Sequence, residues 1–162
     1  MHNYKENNDF LPEWADRRLH SFLEYWNEVR GGRRFPNRSD IEPLDFHQEW
    51  PLVFLVEGTR VEDLTIRLAG TAYWEIYGFE LTGRKLVDVV PRNHTRDVLD
   101  DFDKCLREGR PVFAANQMRW RPRHSRLNYH RLILPLGDSQ GRVSHVLGLA
   151  MFFDLSGRTL FV

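Results

Sequence analysis

The chain has 162 residues, 41% apolar and 28% charged, which suits one soluble domain with a proper core. Lys+Arg and Asp+Glu both number 23, so the formal charge is zero; this argues against a general nucleic-acid binder and against attraction to anionic membranes by total charge. A single cysteine, Cys105, excludes an intramolecular disulfide, no apolar run approaches the ~20 residues of a membrane span, and the opening MHNYKENNDF has no apolar signal-peptide core, so a reducing, cytoplasmic setting is expected.

Residues 1–12 read as a flexible tail. Over 13–31 the pattern is helical: Ala15, Leu19, Phe22, Leu23 and Trp26 recur at spacings of three and four, with Arg17, Arg18, Glu24, Asn27 and Glu28 opposite. Arg30-Gly31-Gly32 ends this helix and Pro36 forbids its resumption. Its stripe must be buried, and the outer face of the chain's own sheet is one place for it. In the basic connector that follows, Asp40 and Glu42 offset Arg33, Arg34 and Arg38, and Asp40 is also placed to cap a helical turn over 43–49. LVFLVE at 52–57 is too short for a helix and reads as a first strand. A turn at Gly58-Thr59-Arg60 leads to a second strand at 63–68, where Leu64, Ile66 and Leu68 alternate with Thr65 and Arg67. Ala69-Gly70 breaks the run, and Thr71 is placed to cap a short helix presenting Tyr73, Ile76 and Tyr77 before Gly78 ends it. Asn93 or Thr95 opens a long helix that buries Val98, Leu99, Phe102, Cys105 and Leu106 and stops at Gly109 and Pro111. Strands near 111–121, 127–136 and 143–153 follow, the last two joined by the turn Asp138-Ser139-Gln140-Gly141. The order predicts an α+β fold, with helices against an antiparallel sheet.

The central stretch carries a resemblance. Ala69-Gly70, the spacing from Tyr73 through Ile76 to Gly78, and Glu80-Leu81-x-Gly83-Arg84-x-Leu86-x-Asp88 resemble the heart of a PAS sensor domain. Tyr25-Trp26, Arg30-Gly31-Gly32-Arg33 and Pro36-x-Arg38-x-Asp40-Ile41-x-Pro43 resemble the front end of a bacterial family of stand-alone PAS proteins, the whole similarity spanning about 19–153. The resemblance implies a PAS-like domain over 43–156: a five-stranded antiparallel sheet curved around a small pocket, helices on one face and an extra N-terminal helix. It also implies a second place for the helical stripe, because helices leading into PAS domains often pair with a copy. Leu19, Phe22, Leu23 and Trp26 are then candidate homodimer contacts.

Seven histidines and one cysteine show no metal-ligand spacing. His94 stands near the start of the long helix, where some PAS domains hold haem, but it lacks a partner, so haem is not expected. Flavin photosensors carry an Asn-Cys-Arg-Phe segment that is absent here, and Cys105 sits on an apolar helix face, so flavin is not expected either. The basic run Arg119, Arg121, Arg123 and Arg126 around Trp120 reads as a solvated hairpin tip or as an anion- or partner-docking patch; the neutral total charge weighs against nucleic acid. The residues expected around a pocket are Tyr73, Ile76, Phe102, Met118, Leu132, Leu134, Leu147 and Leu149, with Tyr73 and His145 as polar tips. The alternative for most of them is ordinary core. The function expected is a non-catalytic sensor in bacterial signalling that binds a small ligand or a signalling protein. The alternative is a small cone-fold enzyme, isomerase- or dehydratase-like, acting on an apolar substrate and marked by an Asp–His pair in the pocket.

Overall fold

The computed structural model describes residues 11–46, 48–90, 95–118 and 126–161. The first helix, α1, spans Arg17–Arg30. It starts four residues later than the periodicity alone suggests because Asp16 caps it: its carboxylate accepts the Arg18 backbone N–H at 2.9 Å. Short 3-10 turns over Arg38–Asp40, Pro43–Phe46 and Trp50–Leu52 lead to the sheet. Asp40 belongs to the first of these turns, accepting from the Asn37 N–H at 2.9 Å and from Arg33 at 2.7 Å, so it does not cap the segment after it.

Strands β1 (Val53–Glu57) and β2 (Thr65–Ala69) are followed by α2 (Thr71–Tyr77), α3 (Leu86–Val89) and α4 (Thr95–Glu108). Strands β3 (Val112–Gln117), β4 (Asn128–Gly137), β5 (Val143–Phe153) and the two-residue β6 (Thr159–Leu160) complete the chain. The five main strands pair antiparallel in the order β2-β1-β5-β4-β3, and β6 lies against the end of β5. Gly78 closes α2 at φ 82°, a conformation that a side chain resists. The N-cap of α2 is Gly70, with no side-chain cap bond from Thr71. The turn α3 and the edge strand β6 are too short to have a periodic signature, and periodicity did not reveal them.

Register divides the sheet into two faces. Leu132 pairs with Leu149, Leu134 with Leu147, and Leu55 with Leu147, so these side chains share one face. Tyr129 pairs with Phe152, Arg131 with Ala150, and Phe54 with Gly148, so these share the other. Both faces are covered. Helices α2 to α4 lie over the second face, while α1 and its connector close the first, where the Phe22 and Tyr25 rings meet Phe46 edge-on at 5.6 and 5.7 Å. Among the described residues no helix is long and apolar enough to cross a membrane.

The α1 stripe takes the first of its two expected places, against the outer face of its own sheet. Leu19, Phe22, Leu23 and Trp26 are all buried within the monomer. The Trp26 indole N–H donates to the Pro135 carbonyl at 2.9 Å. A large buried apolar side chain contributes about 1.5–3 kcal/mol, so freeing four of them would cost an amount comparable to the whole stability of a domain. Pairing through these four side chains would require α1 to leave its own sheet. Trp26→Phe keeps most of the apolar area but strands the Pro135 carbonyl, and a loss of about 1–3 kcal/mol is expected in urea unfolding. An unchanged midpoint would show that the indole bond contributes nothing.

Candidate ligand site

Between the sheet and helices α2 to α4 lies a cavity of about 280 Å³. Its floor comes from alternate strand positions: Phe54 and Val56 of β1, Ile66 of β2, Tyr129 and Arg131 of β4, and Ala150 and Phe152 of β5. Tyr73 and Tyr77 of α2, Val89 of α3, and Val98 and Phe102 of α4 supply the wall above it, with Leu86 and Met118 beside them. The aromatic rings brace one another. Tyr73 stands edge-on to Phe54 and Phe152 at 5.8 and 5.9 Å, and Phe54 tilts against Phe102 at 6.1 Å. Phe54 can lie flat on the sheet only because Gly148 opposes it; a Cβ there would fall 2.0 Å from the ring.

Polar groups are few and specific. The Tyr73 hydroxyl donates to the Leu52 carbonyl at 2.7 Å, and burial holds its pKa well above the ordinary phenol value. Burial likewise pushes Tyr77 up to about 12. Arg131, only 8% exposed, donates through Nη2 to Asp101 at 2.6 Å. Its guanidinium stands 5.4 Å from the ring centres of both Phe102 and Tyr129. Its Nε is fully buried and has no acceptor. Burial raises the Asp101 carboxyl above its usual range, against the opposing pull of Arg131.

Three of the residues expected around a pocket meet here: Tyr73, Phe102 and Met118. Ile76 is buried but does not line the cavity. Leu132, Leu134, Leu147 and Leu149 belong to the opposite face, packed as core beneath α1 and its connector. His145 is on that face too, 3.6 Å from Glu57 and 2.9 Å from the Ser144 hydroxyl, so it cannot orient a ligand in this cavity. The error has one cause. Leucines on an amphipathic strand point inward by default, but this sheet has two insides, and the one holding the cavity takes the polar alternates. Arg131, next to Leu132 on β4, is a lining residue that the leucine pattern does not reveal. The stripe of α1, for which the outer face of the sheet was one expected place, was the available signal, since it had to cover a leucine-rich face.

Of the basic run, Arg126 is half-buried with its Nε unpaired. Arg119, Arg121 and Arg123 lie outside the described residues, as do His94, Asn93 and residues 1–10 of the tail expected over 1–12, whose Leu11 is instead buried in the core. Cys105 is fully buried, and burial pushes its thiol well above the usual range. No group of three metal-ligating side chains occurs among the described residues.

An antiparallel sheet in the order β2-β1-β5-β4-β3, with a cavity under short helices, defines an α+β domain of one sheet with helices over the cavity. A sequence profile described as PAS domain matches residues 15–151, and the chain belongs to that family. Among solved structures it is similar to the dark structure of the blue-light photoreceptor Aureochrome1 LOV, at 14% identity and a TM-score of 0.53 over 72% of this chain and 86% of that one. It is also similar to the Rhodobacter sphaeroides LOV protein, at 15% identity and 0.51 over 72% and 71%. A sensory box sensor histidine kinase from Vibrio cholerae matches at 12% identity and 0.51 over 69% and 90%. At such identities the likeness is one of fold. No curated protein matches the sequence.

Two outcomes test the geometry. Gly148→Ala should drive the Phe54 ring toward the cavity and cost about 1–3 kcal/mol in urea unfolding; a neutral result would mean that the ring relaxes freely. His145 is held below its ordinary value chiefly by burial, with Glu57 opposing. As pH falls below about 6.5 the unfolded chain binds the proton first, so this contribution to stability is present above that value and is lost on acidification. The fall in stability from pH 7.5 to 5.5 should be smaller in His145→Gln than in the natural protein.

Proposed function

We propose that this chain is a non-catalytic sensor module of bacterial signalling that holds a small, mostly apolar molecule in the cavity between the sheet and α2 to α4. The cavity itself carries the proposal. At about 280 Å³ it lies at the small end of ligand pockets, with room for on the order of ten non-hydrogen atoms, fewer than a haem or a flavin nucleotide has. Its lining is chiefly aromatic and aliphatic, with a small set of polar groups to orient a ligand. No histidine occurs among the described lining residues, so the Asp–His pair of a cone-fold enzyme finds no support there. Buried, unpaired Cys105 suits a reducing cytoplasm.

Occupancy has a physical route outward. Tyr129, Arg131, Ala150 and Phe152 line the cavity, and their neighbours Leu132, Leu134, Leu149 and Met151 form the face that α1 covers. A ligand that repacks the first set bears on strands whose other side holds α1. A change in α1 would then be read by a signalling protein. Such coupling needs two packings of α1 with different ligand affinity. Native mass spectrometry of protein purified from its own host should find a bound small molecule, and Ala150→Leu, which fills the floor, should abolish it while the domain stays folded. The reading fails if the natural protein carries no molecule, or if the same molecule remains on the filled variant.

A further inference from the structure

The polar end of the cavity defines the chemistry of what it takes. Among the described lining residues Arg131 is the only cation. A guanidinium has five N–H donors, and the one hydrogen bond formed here goes to Asp101, leaving Nε buried without an acceptor. Across the β3–β4 pair, Asn116 stands opposite Tyr129, the immediate neighbour of Arg131 on this face. Its side-chain carbonyl already accepts the Gln117 N–H at 2.9 Å, so its amide hydrogens remain. The Tyr73 hydroxyl is directed away to Leu52. Asn116 is exposed, so the buried donor still without an acceptor at this wall is the Arg131 Nε–H, and an unpartnered buried donor is costly unless something accepts from it.

Charge narrows the choice further. Arg131 already faces Asp101, and Asp97 lies in the lining one helical turn earlier on α4. Two carboxylates thus stand near the one guanidinium: Asp101, bonded to it from outside the lining, and the exposed Asp97 within the lining. A ligand carboxylate would add a third negative group where burial already disfavours the ionised form of Asp101.

We propose that the cavity takes an uncharged molecule with an apolar body and a carbonyl oxygen (a ketone, amide or ester), the carbonyl accepting from Arg131 and the body lying among Phe54, Tyr73, Phe102 and Phe152. The inference rests on the reading of the cavity as a ligand site and adds the class of ligand. Arg131 acts as the specificity-determining residue, with Asp101 holding its guanidinium in place and the Phe102 and Tyr129 rings flanking it.

Three probes of nearly equal shape separate the terms: benzylacetone (ketone), 3-phenylpropanoate (carboxylate) and isopentylbenzene (hydrocarbon). Titration calorimetry on the full chain at pH 7.5 should give benzylacetone a Kd about tenfold below that of each of the others. Arg131→Met should erase that preference while isopentylbenzene binds as before. Because Arg131→Met leaves Asp101 without its partner, Arg131→Met/Asp101→Asn serves as a second variant, and its melting curve without probe reports folding. A carboxylate that binds more tightly than the ketone overturns the inference, as does a ketone preference that survives in a folded variant. Equal binding of all three overturns it too, yet leaves the ligand cavity standing. Failure of all three to bind overturns both the carbonyl assignment and the cavity as a site for molecules of this size.

Discussion

The hydrogen bond from the Trp26 indole to the Pro135 carbonyl ties the N-terminal helix to the sheet, and the rest of the architecture depends on that attachment. Strand β3 begins at Val112 opposite Ile133, so its ladder does not reach Pro135, and the next partner on that side is the connector, where the Pro36 carbonyl accepts the Gly137 N–H at 2.8 Å. Proline tolerates such a position because it has no ladder N–H to lose. Its carbonyl would be an orphan beneath a fully buried tryptophan without the indole donor. One contact thus satisfies a strand, seats α1 and closes the leucine-rich face of the sheet. With that face closed, β4 and β5 are buried from both sides along most of their length.

A sheet with two covered faces can give them different work. The α1 face is dry and close-packed: Leu132, Leu134, Leu136, Val53 and Leu149 have essentially no exposure. A void of about 40 Å³ lies there, beside Trp50 and Leu147. The opposite face keeps an opening some seven times larger, held apart by rings that meet edge-on instead of filling the space. Voids in a core are destabilising, so an opening of this size points to a use. The buried guanidinium at its end strengthens that conclusion, since an apolar side chain would pack there without the desolvation cost of a charge.

Much of the fold was legible along the chain. All five main strands and all three of the longer helices fall where spacing and punctuation put them, within about four residues at their ends. The third strand ends at Gln117, short of the expected span, and residues 119–125 lie outside those described. The site was legible only in part. Tyr73 and Phe102 meet at the cavity because a short and a long amphipathic helix must turn their apolar sides to the sheet, and Met118 joins them from just past the end of β3. Leu132, Leu134, Leu147 and Leu149 were placed on the wrong side of the sheet. In the run Asn128–Gly137 both sets of alternate residues are apolar enough to be buried, and local pattern then cannot rank them.

By itself the sequence determined the order of elements, the neutral charge, the inert thiol of Cys105 and the resemblance to a sensor family, because each follows from residue identity or from spacing within a single element. Only the tertiary structure decided that the Leu19–Trp26 stripe is buried at home, that the cavity opens on the Arg131 side, and that Asp101 partners Arg131 from thirty residues away. Period two assigns a strand's side chains to two faces, but which face is empty enough to hold a ligand depends on what packs against it, and those helices are distant in the chain.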